Sequence, residues 1–272
     1  MVAATTVPYL LMVECLDHLE QSDPTNGLVL KLVDRAYQSI VGVFVLIALG
    51  HVREAEILAR SVYESAATTA YIIQEQPPTR ISQFFLSYIN GEREQNRKWG
   101  NDLSSIQDES REDHESRIAG KNEAMDRYEQ FVRGYMEHCD VPIEKTSRWP
   151  PLIERLEAMG RRVEYRTVYA AMCSQSHHDA EDVLNFFIAN SLVGADHIAE
   201  RIEREADTFS IFMVLFGLHW FVETIQAAGT MFGFPTVTKE AQESLARILE
   251  ELEFVAPHLD KGGFPEAWVV PD

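Results

Sequence analysis

Apolar residues recur at helical spacing in almost every segment of this chain, and no run alternates with period two. A strand buries every second residue and a helix every third or fourth, so the spacing predicts an all-α fold. The expected form is a multi-helix bundle with a buried central helix pair and an amphipathic C-terminal helix. Helices are expected over residues 7–20, 28–49, 51–74, 79–101, 122–139, 152–159 and 165–177. Shorter ones follow over 181–190 and 198–207, then 209–232 and 239–255. The segment 28–49 is apolar nearly all round, as a central buried helix would be. Residues 100–121 carry almost nothing apolar and read as a solvated helix extension or a loop.

Stops fall where the backbone demands them. Ser22-Asp23-Pro24-Thr25-Asn26-Gly27 separates the first two helices, and Pro77-Pro78 ends the third. The segment 141–151, with Pro142 and Trp149-Pro150-Pro151, divides the chain. One helical domain over 1–272 is expected, with two lobes, 1–140 and 151–256, and an irregular tail, 257–272.

Two apolar stretches carry residues that a core tolerates only with partners. The first is Leu58-Ala59-Arg60-Ser61-Val62-Tyr63-Glu64; the second is Tyr165-Arg166-Thr167-Val168-Tyr169 with Ser174-Gln175-Ser176-His177-His178-Asp179. An unpaired buried charge costs several kcal/mol or neutralises itself, so a polar cluster between helices is expected. At 100° per residue, Arg53, Arg60, Glu64, Ala67 and Tyr71 share one direction, with Leu58, Val62, Thr69 and Ile73 opposite. Either this is a solvated face with an Arg60–Glu64 surface pair, or an ionic stripe that Ala66, Ala67 and Ala70 let another helix approach. Spacing leaves both open.

Charge narrows the partners. Lys and Arg number 24 against 43 Asp and Glu, a formal charge of −19. Nucleic-acid affinity comes largely from cations displacing counterions, so no tight nucleic-acid binding is expected, nor attraction to an anionic membrane. The apolar runs 40–50 and 209–222 are shorter than the roughly 20 residues a membrane span needs. With no basic n-region at the N-terminus and no CxxC spacing among Cys15, Cys139 and Cys173, a cytoplasmic, reduced protein is expected.

Ser174 lies three residues before His177 and four before His178, within reach of either imidazole. A Ser–His pair suggests nucleophilic catalysis, but no G-x-S-x-G elbow is present, and a structural hydrogen bond accounts for it as well. His177–Glu181 and His178–Asp182 have the one-turn spacing of a divalent metal site, the only cofactor option the sequence offers. No His has a Glu three residues before it, so the paired E-x-x-H of di-iron bundles is missing, and these acids can equally cap a following helix. Arg133 and His138 match the R-x4-H spacing of helical ribonucleases, which a chain with this many Arg and His meets by chance. His219 and Glu223, one turn apart on the most apolar helix, read as a satisfied buried pair or as the lining of a cavity.

The segment running from Gly50 and Arg53-Glu54-Ala55 through Arg60-Ser61-Val62-Tyr63-Glu64 to Tyr71-Ile72, together with Tyr169 and Ser174-Gln175-Ser176-His177, resembles an uncharacterised bacterial all-helical family, a domain of unknown function. The resemblance covers about residues 28–179. It implies a cytosolic protein of a phage-defence or stress locus, with Arg60, Glu64, Tyr169, Ser174 and His177 converging on one inter-helix site. Three function classes follow. As an active site, the cluster would act on a nucleotide or phosphodiester, with Arg60 binding the anion, His177 as general acid or base, and Glu64 and Tyr169 orienting them. As a binding module, it would hold a small anionic ligand, a partner protein or a second copy of the chain. As architecture, it would only set helix register.

Overall fold

The computed structural model describes residues 1–16, 24–105, 110–142, 148–175 and 196–256, with 187 and 259 as single positions. Among them the chain is helical and no strand occurs. It divides into two units, one of Met1–Ile73 with Leu152–Asp272 and one of Gln74–Pro151. One boundary falls at the Pro150-Pro151 segment and the other at the end of the third helix. The irregular tail expected over 257–272 lies, apart from residue 259, outside the described residues.

In the first unit, α1 (Val2–Leu16) begins five residues earlier than expected and runs through Pro8. Proline at the seventh helical position removes the bond to the Ala4 carbonyl and crowds that carbonyl with its ring. Burial of Ala4, Tyr9 and Met12 outweighs that loss. The helix packs on α10 (Pro235–Val255), the amphipathic C-terminal helix, which buries Val237, Ala241, Ile248 and Leu252.

Helix α2 (Pro24–Ala48) departs from the expected all-round burial. Val29, Val33, Ile40 and Val43 are covered, but Val41, Val45 and Ile47 face outward. Gly50 ends the connection to α3 (Val52–Gln74) in the left-handed conformation that glycine adopts freely.

Helix α3 is covered around most of its circumference. Val62, Thr69 and Ile73 are buried, and so are Ala59, Tyr63, Ala66 and Ala67, so the two expected faces do not separate into wet and dry. Arg60 and Glu64 lie at its half-exposed edge. Alongside runs α9 (Asp196–Met231), one continuous helix where two were expected. No Pro or Gly interrupts the junction, and Thr208 folds its hydroxyl back onto the Arg204 carbonyl at 2.7 Å. Contacts from Glu56 to Ser210 and from Ala66 to Thr224 rise together along both chains, so α3 and α9 are parallel. Their backbones meet at Gly217, where a Cβ would sit 2.9 Å from the Ala59 carbonyl oxygen.

Within α9, Ala206–Met231 is long and apolar enough to cross a membrane, longer than the run read from the sequence. A core helix meets the same test, and Met213, Leu218, Trp220, Phe221 and Ile225 are buried here. Against α3 and α9 pack α6 (Leu152–Ala158) and a segment that begins as α7 (Arg162–Glu164). It continues as a π turn, Tyr165–Tyr169, and ends as α8 (Ala170–Gln175). The helix expected over 165–177 thus starts earlier and contains a widened turn.

The second unit is an antiparallel hairpin of α4 (Pro77–Asp102) and α5 (Ser110–His138). Ile89, Met125, Val132 and Met136 form its core. Arg93 reaches across to Asp126 and Glu129, each at 2.6 Å, and Asn96 donates to Asn122 at 2.8 Å. From Ser110, the polar stretch resolves as the solvated extension of α5, braced by Arg111–Glu115 and Asp113–Arg117 pairs.

Candidate functional site

Arg60 and Glu64 sit one turn apart on α3, so their side chains reach the same patch. Arg60 Nε donates to Glu64 Oε1 at 2.9 Å. The hydroxyl of Tyr169, from the π turn, donates to that same oxygen at 2.8 Å, and Arg60 Nη2 approaches the hydroxyl at 3.5 Å. The Arg60 guanidinium also lies over the Tyr169 ring, 5.4 Å from its centre. π turns re-aim side chains by inserting one residue into a helical turn, and they concentrate at functional sites. Here the turn closes on Tyr169, whose ring stacks on buried Tyr63 with centroids 5.8 Å apart.

The electrostatics follow from partial burial. Desolvation works against the Arg60 charge, but hydrogen bonds with Glu64 and Tyr169 outweigh it and raise its pKa above the ordinary value. Burial first, then the bond to Glu64 and one to Cys173, pushes the Tyr169 phenol well above its ordinary range, so it stays a donor. The Cys173 thiol, one turn beyond Tyr169, is thus part of the cluster.

A second cation completes it. Arg155, on α6, donates from Nη1 to Thr68 Oγ1 at 2.5 Å, and Thr68 in turn donates to the Glu64 carbonyl at 2.7 Å. Burial lowers the Arg155 pKa, while Glu64, Tyr169 and Tyr71 support its charge. The sequence reading missed Arg155. Its signal was an arginine between the core residues Leu152 and Leu156 on a short helix.

Arg60, Glu64 and Tyr169 are therefore brought together, as one contact network. Ser174 lies in the last turn of α8, and its side chain is outside the described residues. His177, His178, Glu181 and Asp182 lie outside them too. Among the described residues, no group of three His, Cys, Asp or Glu side chains is arranged to hold a metal ion. His219 and Glu223 belong to a different cluster, built around Arg161.

The profile of DUF5677, a family of unknown function, matches residues 26–193, which is most of the chain. The chain belongs to the DUF5677 family. The matched region runs from α2 past α8, so it contains Arg60, Glu64, Arg155 and Tyr169, whereas α9 and α10 follow it. The family expected from the Arg60–Glu64 and Tyr169 segments is thus of the kind found. No curated protein and no solved structure matches the chain.

Proposed function

We propose that the DUF5677 region binds a small phosphate-bearing anion, a nucleotide or phosphodiester, at Arg60 and Arg155, in a cytoplasmic accessory or effector protein. The observation that carries this reading is charge. Two guanidinium groups gather about one carboxylate in a chain of formal charge −19: Arg60 is hydrogen-bonded to Glu64, whose charge also supports that of Arg155. Arginine presents a planar fork of donors that matches phosphate oxygens, and Glu64 with Tyr169 holds the Arg60 fork in place. Chemistry at the anion would draw on Ser174 and His177 as nucleophile and acid–base groups, with Tyr169 as a fixed donor. The defence or stress setting rests on the family resemblance.

The experiment is calorimetric titration of the full chain with adenosine monophosphate and with inorganic phosphate, in the wild type and in Arg60→Gln. Binding in the wild type and at least ten-fold weaker binding in the variant supports the reading. No heat with either probe overturns it.

A second reading has its own observation. Glu64, Arg60 and Tyr169 satisfy one another, as a purely structural cluster would. In that case Arg60→Gln lowers the melting temperature, and neither probe raises that of the wild type.

A further inference from the structure

Gly160, in the left-handed conformation, ends α6 with the Arg161 amide bonded to the Leu156 carbonyl at 2.7 Å. That turn delivers Arg161 onto α9. Its Nη1 donates to Glu223 Oε2 at 2.6 Å, its Nε faces Glu164 Oε1 at 3.3 Å, and its guanidinium lies over the Trp220 indole at 4.4 Å. Trp220 Nε1 donates to Glu164 Oε2 at 2.9 Å. One cation thus ties α9 to Glu164, the residue directly before the π turn.

His219 stands beside this knot. Its Nδ1 is 3.8 Å from the same Glu223 oxygen that Arg161 holds, and that nitrogen has no hydrogen-bond partner among the described residues. Among the described residues, Glu223 on its own helix and Arg161 from the segment after α6 act on it, and Arg161 in turn faces Glu164 and the Tyr63 phenol from α3. With His219 neutral, the two carboxylates outnumber the one guanidinium. A proton on His219 balances the charge and creates a second donor aimed at Glu223 Oε2.

We propose that this cluster is a pH-sensitive switch on the anion site: protonated His219 takes Glu223 from Arg161, and Arg161, left to Glu164 alone, draws that residue and the π turn behind it, shifting Tyr169 away from Glu64. Two contacts transmit the change. Glu164 is continuous with the π turn, and the Tyr63 ring packs between Trp220, 5.2 Å away edge-on, and Tyr169. Glu64 without Tyr169 keeps Arg60 as its partner among the described residues, which draws Arg60 from the ligand and weakens anion binding. Burial above all, with Arg161 adding to it against Glu223, holds the imidazole below its ordinary 6.5, so the switch operates on acidification below that pH. What it regulates rests on the anion reading above; the exchange of partners at Glu223 does not.

The test uses the full 15N-labelled chain between pH 5.5 and 8. Trp220→Phe assigns the Trp220 indole N–H resonance, and His219→Gln and Glu223→Gln each remove one partner. The wild-type resonance is expected to titrate below pH 6.5 and to be flat in both variants. Sulfate, which does not titrate in this range, probes the site. Its affinity is expected to fall at least five-fold from pH 7.5 to 5.5 in the wild type and less than two-fold in His219→Gln. Lower pH makes the whole chain less negative and would otherwise strengthen anion binding, so a fall is diagnostic. A wild-type indole that stays flat, or one that titrates alike in His219→Gln, overturns the switch. Sulfate affinity that follows pH equally in both proteins overturns its coupling to Arg60. If sulfate binds at no pH while the indole titrates as expected, the anion reading and the coupling both fail and the His219 switch stands.

Discussion

The hydroxyl of Tyr169 donates to Glu64 Oε1 at 2.8 Å across 105 residues of sequence. The same oxygen accepts from Arg60, so a local ion pair on α3 becomes a tertiary tie to the π turn. An isolated one-turn pair would contribute only a few tenths of a kcal/mol. A hydrogen bond to a charged group contributes more, provided water does not replace it.

Tyr169→Phe isolates that bond. Glu64 keeps Arg60, and its side chain is 41% exposed, so water replaces the lost donor in part. The expected cost is about 1 kcal/mol by urea unfolding, below the range for a fully buried charged acceptor. A loss above roughly 3 kcal/mol, with the ring retained, would mean that water does not replace the donor and Glu64 is left unsatisfied.

Arg155→Met tests stability and binding together. Met removes the costly burial of the guanidinium but leaves the groups it bonded without their donor. Unfolding stability is therefore expected to fall by about 1–3 kcal/mol. Phosphate affinity falls at least ten-fold in the same protein. Unchanged affinity would remove Arg155 from the site.

Two glycines are expected to respond in opposite directions to alanine. At Gly217 a Cβ would meet the Ala59 carbonyl oxygen at 2.9 Å, so α3 and α9 must move apart, at a cost of about 1–3 kcal/mol. Gly134 sits in α5 with nothing within 4 Å, and alanine there adds helix propensity worth about 0.5–1 kcal/mol. Thermal melts of the two variants on opposite sides of the wild type would bear this out. Destabilisation by both would contradict it.

Acid stability has two opposed terms. The folded-state pKa of His219 lies below the 6.5 of the unfolded chain, chiefly through burial, so the unfolded state binds the proton first as pH falls. The stability this contributes is complete above pH 6.5 and is lost as pH drops from 6.5 through the folded value. Glu164 acts the other way. Burial raises its carboxyl above 4.5, so the folded state takes up a proton first and gains stability as pH falls toward 4.5. Urea unfolding from pH 8 to 4 should show His219→Gln flattening the loss just below 6.5. Glu164→Gln should remove the later gain. A His219→Gln curve parallel to the wild type throughout would show that another group sets the acid limb.

Much of the architecture was legible in the spacing of apolar residues. The α2, α3 and α4 ranges, the stop at Pro77-Pro78 and the amphipathic C-terminal helix follow from periodicity and backbone breakers. Helix α1 was misjudged because a proline in an early turn looks like a boundary until the packing of Ala4 and Met12 is known. The length of α9 was missed because its polar and apolar halves read as two helices.

The site divides along the same line. That Arg60 and Glu64 share a face is dictated by 3.6 residues per turn, and their charges inside an apolar segment already called for a partner. Which partner came was a tertiary matter. Tyr169 arrives through a π turn that no propensity announces, and Arg155 arrives on a seven-residue helix whose position is set by Leu152 and Leu156 in the core. Local hydrogen-bond periodicity determines what a helix presents. Side chains a hundred residues apart meet only because close packing of α3, α6 and α9 leaves each one place to go.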